Sequence, residues 1–303
     1  MRFEVTILGC GSATPASKRN PSAQIVNHSE RFFLIDCGEG TQMQIRKCGI
    51  RFQKINHIFI SHLHGDHYLG LVGLISTLHL LGRKNDLHLY CHNDLKQIID
   101  IQLKASDTQL NFEIIYHFLS YQKSTLIYED NQLMVKTIVL DHRIPCCGFL
   151  FEEKPRLPSL KKTLVEYYQL QPWQILDIKY GKEIILDDGQ KINPAKLIEK
   201  KHDIRKYAYC SDTRYNENII SIIKGCNLLY HEATFTEELK SRAITTFHST
   251  AKDAAEIASK AEVKKLLLGH FSARYNSTEG HYVEAKTIFE STEIAVELKS
   301  YEV

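Results

Sequence analysis

The chain has 303 residues, room for one large domain or two small ones, and 43% hydrophobic content suits a globular protein with a sizeable core. A formal charge of only +2 gives no global signal for a nucleic-acid partner, so any such surface has to be a local patch. No window reaches the ~18 apolar residues of a membrane span, the first residues run straight into a strand-like pattern, and eight scattered cysteines without a Cys-x-x-Cys pair suit reduced thiols in the cytoplasm.

In chain order, apolar runs over 3–8, 23–26 and 32–35 predict strands, 39–48 a helix and 55–60 another strand. Residues 68–81 are apolar all round, which predicts a buried helix. Strands are expected over 87–91, 112–118 and 133–140, with a helix over 95–103. Later, 207–210, 228–231 and 266–268 read as short strands, and 251–261 as an Ala-rich helix. Each half mixes strands with helices and puts polar residues just after strand ends. This predicts an α/β sandwich, two packed sheets with helices outside. Residues at about 151–200, rich in Lys, Glu, Pro and Tyr, break the pattern and read as an arm inserted into a single domain spanning 1–303.

The chemistry concentrates in His62-Leu63-His64-Gly65-Asp66-His67, directly after the apolar run 55–60. Three imidazoles and a carboxylate at a strand end cannot all be satisfied as core residues. On a turn, the first two histidines can converge on one ion while Asp66 and His67 face a second. Such donors suit zinc and also accept Mn2+ or Fe2+. A solvated polar loop is the bland alternative. Two ions need more ligands, and His142, Asp212 and His270 each follow another predicted strand. Gly9-Cys10-Gly11 invites a dinucleotide-binding reading, but Thr14 stands where that motif needs its third glycine, and a tight turn is expected instead.

These segments resemble ribonuclease Z, the tRNA 3′-processing endoribonuclease of the metallo-β-lactamase superfamily. The likeness rests on Leu8-Gly9-Cys10-Gly11-Ser12-Ala13, Ile35-Asp36-Cys37-Gly38-Glu39-Gly40 and the segment from Phe59 to His67. It continues in Ser211-Asp212-Thr213, His231-Glu232-Ala233-Thr234-Phe235, His248-Ser249-Thr250-Ala251 and His270-Phe271-Ser272-Ala273-Arg274-Tyr275. The resemblance implies a four-layer αβ/βα sandwich, the metallo-β-lactamase fold, with an arm that grips tRNA across a homodimer. It implies that His62, His64 and His142 hold one Zn2+, that Asp66, His67 and His270 hold the other, and that Asp212 bridges them. The implied substrate is precursor tRNA. Water attack on the phosphodiester would leave a tRNA 3′-OH and a trailer 5′-phosphate.

Within that mechanism, Asp66 would orient or deprotonate the water, and His248, oriented by Glu232, would protonate the leaving oxygen. His248 could instead assist a helix cap, and Glu232 could be a structural carboxylate. Residues 151–206 carry twelve Lys/Arg against nine Asp/Glu. Lys154, Arg156, Lys161 and Lys162, with Tyr167, Tyr168 and Trp173 beyond, could grip phosphate and stack on bases, as could Arg274. A solvated amphipathic helix over 159–170 explains much of that pattern equally well. Lys18, Arg19, Arg46, Lys47 and Arg51 form other basic patches. Many family members carry a glycine- and proline-rich arm tip, whereas residues 171–181 here have little glycine. The rival readings are a tRNA 3′ exonuclease, a small-phosphodiester hydrolase of the same superfamily, and a catalytically silent RNA-binding scaffold.

Overall fold

The computed structural model describes every residue except Met1, Pro15, Ser17, Lys18, Asp187, Asp188 and Lys201, so Lys18 of the basic patches lies outside the described residues. The chain divides into two compact units. The larger takes residues up to 129 together with 134–151 and 206–303, and the smaller takes 130–133 and 152–205.

Two seven-stranded sheets build the larger unit. The first runs Ser300–Glu302, Phe3–Gly9, Ala23–His28, Arg31–Ile35, Ile55–Phe59, Leu87–Cys91, Ile114–Phe118. The second runs Thr292–Ile294, Leu266–Gly269, Leu228–Glu232, Lys206–Cys210, Cys147–Glu153, Leu133–Val139, Leu126–Glu129. Their inner faces meet through aromatic rings: Phe59 lies 5.4 Å from Phe149 and Phe33 lies 5.8 Å from Phe151, centroid to centroid. Phe33, Phe59, Phe149, Phe151, Tyr207 and Tyr209 are all fully buried there. Outside the first sheet, Leu71, Leu74, Leu95 and Ile99 of two helices pack in one cluster with Ile58, Leu87 and Leu89. Helix Ala251–Lys260 packs on strands of the second sheet. The central strands of each sheet are thus buried on both faces, against the other sheet and under helices, while edge strands such as Leu126–Glu129 and Ile114–Phe118 carry no buried residue.

Where the helices start and stop differs from the sequence reading. The helix expected over 68–81 is Leu71–Leu80, separated at Gly70 from the single turn Gly65–Tyr68 that precedes it. The Gly70 N–H donates to the Cys37 carbonyl at 2.9 Å, and a Cβ there would meet the Gly38 carbonyl oxygen at 2.1 Å. Helix Leu71–Leu80 is not buried all round either: Leu71, Leu74, Ile75 and Leu78 are buried, but Leu80 is 82% exposed. All eight cysteines are free thiols, and no helix among the described residues is long and apolar enough to cross a membrane.

The smaller unit has its own small core of Leu170, Ile178, Ile184, Ile192 and Leu197. Two short antiparallel pairs, Ser159–Leu160 with Ile198–Lys200 and Ile184–Ile185 with Lys191–Ile192, accompany helices Lys162–Tyr167, Pro172–Lys179 and Pro194–Leu197. The expected helix over 159–170 is therefore shorter. Residues 159–160 are taken by strand pairing, and Gln169 at φ 48° turns the chain before the next helix. That next helix starts at Pro172, with Gln171 and Gln174 forming a capping box.

Candidate active site

The site gathers where strands of both sheets end. Ile55–Phe59 leads into His62 and His64, and Asp66 and His67 lie on the single turn Gly65–Tyr68. Leu133–Val139 leads to His142, Lys206–Cys210 to Asp212, and Leu266–Gly269 to His270. Asp212 and His270 both adopt left-handed backbone, φ 52° and 58°. Non-glycine residues enter that region at a cost of order 1–3 kcal/mol, and such strain gathers at functional sites.

Three overlapping groups of ligand-type atoms result. Two of them, His62, His64, His142 with Asp212 and Asp66, His67 with His270, take in all the predicted ligands, and the third joins Asp212 and His270 to His248. In the first, His64 Nδ1 stands 3.1 Å from both His62 Nε2 and His142 Nε2. Asp212 Oδ2 lies 3.5 Å from His62 Nε2 and 3.7 Å from His142 Nε2. In the second, Asp66 Oδ2 lies 3.4 Å from His67 Nε2 and 3.5 Å from His270 Nε2. Asp212 Oδ1 is 3.1 Å from each of those nitrogens. Two ligands on a tetrahedral ion with bonds of about 2.0–2.1 Å stand about 3.3 Å apart. The observed spacings, 3.1–3.7 Å, match that edge, and the two oxygens of Asp212 face different clusters. His67 Nε2 and His270 Nε2 are buried and make no well-directed hydrogen bond, although carboxylate oxygens stand 3.1–3.5 Å away. Buried polar atoms are rarely left so unless something else engages their lone pairs. The residues present therefore fit divalent metal ions.

The rings are held from behind, as metal-ligating histidines usually are. His67 Nδ1 meets Asp36 Oδ2 at 2.7 Å, His142 Nδ1 meets the Phe247 carbonyl at 3.0 Å, and His270 Nδ1 meets Thr234 Oγ1 at 3.0 Å. His62 Nδ1 lies 3.0 Å from Ser61 Oγ, which itself donates to Asp36 at 2.9 Å. Tyr209, on the opposite sheet, donates to the same Asp36 oxygen at 2.7 Å. Of this layer, Asp36, Ser61 and Thr234 lie inside segments that carry the family resemblance, but none of them was expected to have a role.

Beside the clusters, His248 Nδ1 contacts Glu232 Oε1 at 2.8 Å. Glu232 is fully buried, and its two oxygens also accept from the N–H groups of Thr213, Thr234 and Ser249 and from the Thr234 hydroxyl. The cap that His248 could have served belongs to Thr250, which forms a capping box with Asp253. Burial pushes the His248 imidazolium toward losing its proton, but the Glu232 carboxylate outweighs it and raises its pKa to about 9. Asp66 is opposed by burial too, yet His67 and the hydrogen bonds around it hold its carboxyl well below the usual range. The Ala13 N–H donates to Asp66 at 2.8 Å. A cleft of about 470 Å³ opens onto His64, Asp66, His142, Asp212, His248 and His270.

The predicted RNA contacts are divided between the two units. Lys154, Arg156, Lys161 and Lys162 belong to the smaller unit, where Arg156 pairs with buried Glu153 and Lys162 lies 3.7 Å from Glu166. Arg274 lies in the larger unit over the Phe235 ring at 5.4 Å, lining a second cleft that also reaches His248.

A family model described as Anti-Pycsar protein Apyc1 matches residues 3–159, which span the His62–His67 turn and His142 but not Asp212, Glu232, His248 or His270. A relative from Bacteroides thetaiotaomicron named ribonuclease Z is 46% identical over 98% of this chain and 94% of its own length. Among solved structures, human tRNase Z, short form, matches with a TM-score of 0.72 at 25% identity, covering 99% of both chains. The metallo-β-lactamase fold protein YhfI from Bacillus subtilis matches with a TM-score of 0.71 at 17% identity over the full length of both, a likeness of fold. Matched from end to end by such a relative, and carrying the metallo-β-lactamase fold, this chain belongs to the ribonuclease Z family.

Proposed function

We propose that the chain is a zinc-dependent endoribonuclease that removes the 3′ trailer from precursor tRNA. The observation that carries the chemistry is His248, held by buried Glu232, opening onto the same cleft as the two ligand clusters. The names of its relatives supply the substrate class.

In this reading His62, His64 and His142 would hold one ion, Asp66, His67 and His270 the other, and Asp212 would contribute to both. Two divalent ions there would lower the pKa of a water and neutralise phosphate charge. Asp66, held by the Ala13 N–H, orients the attacking water and draws on its proton. The leaving group is a ribose 3′-oxygen, a poor leaving group as an alkoxide. His248 is kept protonated by Glu232 and bound through Nδ1, so Nε2 is the atom that delivers the proton. The products are a tRNA 3′-OH and a trailer with a 5′-phosphate. The homodimer and a cytoplasmic place of work belong to this reading through family likeness.

The decisive test is to incubate the metal-loaded protein with a trailer-bearing precursor tRNA and map both new ends. A single cut after the discriminator nucleotide is expected. Stepwise shortening would replace the endonuclease with an exonuclease, and an intact precursor would refute an RNA substrate. We assign the smaller unit to tRNA contact, supported by exposed Tyr167, Trp173 and Tyr180 among lysines. Removing residues 160–195 should weaken precursor binding while hydrolysis of a small phosphodiester survives. Equal loss of both activities would make the unit structural.

A further inference from the structure

Arg143 follows His142 in the loop between strands Leu133–Val139 and Cys147–Glu153, and its exposed side chain borders the main cleft. Its guanidinium has no carboxylate within 4.0 Å among the described residues, whereas Arg214 nearby is held by Asp141 at 2.6 Å. The polar contact found for it is Arg143 Nη2 to His64 Nε2, at 3.4 Å. That contact needs a lone pair on His64 Nε2, because arginine has donors only.

His64 turns its Nδ1 toward His62 Nε2 and His142 Nε2, 3.1 Å from each. An imidazole that uses the Nδ1 lone pair for a cation carries its proton on Nε2. Arg143 and His64 would then present donor to donor, and the guanidinium would lose this partner. A cation at the rim of a cleft lined by metal-ligand residues is matched by an anion lying in that cleft.

We propose that Arg143 binds a non-bridging phosphate oxygen of the RNA strand, on the His64–His142 side of the cleft. This rests on the RNA-hydrolase reading above and adds to it a specific phosphate contact. The fork geometry of a guanidinium suits two phosphate oxygens at once, which a lysine cannot reproduce.

The test compares wild type with Arg143→Met and Arg143→Lys, all metal-loaded. Inorganic phosphate is titrated by calorimetry, and KM and kcat are measured on a trailer-bearing precursor tRNA. A charged hydrogen bond of this kind corresponds to an about ten- to hundredfold change in affinity. Arg143→Met should raise the phosphate Kd and the precursor KM by about that factor, with kcat changed less than about threefold. Arg143→Lys should recover part of both. Bound metal and the thermal midpoint should not move in either variant. Unchanged phosphate affinity in Arg143→Met overturns the proposal. So does loss of metal from that variant, which would make Arg143 a support for His64. If wild type leaves precursor tRNA intact, the RNA reading fails, and the phosphate titration still decides the anion site separately.

Discussion

Replacing Glu232 with Gln separates what the buried carboxylate does for the fold from what it does for the chemistry. Five donors converge on it. Oε1 accepts from Thr213 N and His248 Nδ1, both at 2.8 Å, and Oε2 from Thr234 N at 3.3 Å, Thr234 Oγ1 at 2.6 Å and Ser249 N at 3.0 Å. Glutamine keeps one oxygen and turns its NH2 on the other set. Whichever way it flips, at least one buried backbone N–H faces a donor. The less damaging flip keeps oxygen toward Thr234 and Ser249 and leaves Thr213 N–H orphaned. An orphaned buried group costs about 1–3 kcal/mol, and the lost charge-assisted bonds add to it, so Glu232→Gln should destabilise the fold by about 2–4 kcal/mol. His248 would then turn neutral, accept from the amide at Nδ1, and become a far weaker acid. General-acid contributions are about 10²–10⁴-fold, so kcat on precursor tRNA should fall at least about a hundredfold. Hydrolysis of bis(p-nitrophenyl) phosphate should fall much less, because nitrophenolate leaves without a proton. Urea unfolding measures the first effect, and steady-state rates on the two substrates measure the second. Equal losses on both substrates would refute the proton-donor role. Wild-type stability would refute the hydrogen-bond accounting.

Three other outcomes follow from the geometry. Asp66→Ala should abolish cleavage while the chain stays folded; substantial residual cleavage would remove Asp66 from the mechanism. Dialysis against a chelator should lower the thermal midpoint by several degrees and added zinc should restore it, because ligands that bind only the folded state stabilise it. An unchanged midpoint would count against metal in these clusters. Far from the site, burial, with help from His88 and His117, lowers the pKa of His57 to about 3. An unfolded histidine titrates near 6.5, so below that pH the unfolded chain takes up a proton that the fold refuses, and stability falls as pH drops toward 3. For His57 the loss by pH 5 is about 2 kcal/mol, and His57→Asn should flatten the dependence of the urea midpoint between pH 7.5 and pH 5. A variant with an equally steep dependence would assign the titration elsewhere.

His62, His64, Asp66 and His67 were legible in the sequence because they crowd one turn directly after an apolar strand, where local spacing alone limits what they can do. His142, Asp212 and His270 were legible as residues following strands, and the family resemblance turned that position into a role. The rest depended on which strands lie side by side and which sheet faces which. Asp36 is reached by His67 from its own sheet's strand ends and by Tyr209 from the facing sheet, 173 positions along the chain. The His270 ring rests on Thr234, and that of His142 on the carbonyl of Phe247, a residue with no apolar or charge pattern to mark it. At the break, the Gly70 N–H bonds the Cys37 carbonyl and the Gly38 carbonyl leaves no room for a Cβ, neither of which helical periodicity contains. Sequence by itself determined the ligand-type residues and the strand ends that carry them. Only the tertiary structure decided which lone pair faces which neighbour, since that depends on sheet packing between residues distant in the chain.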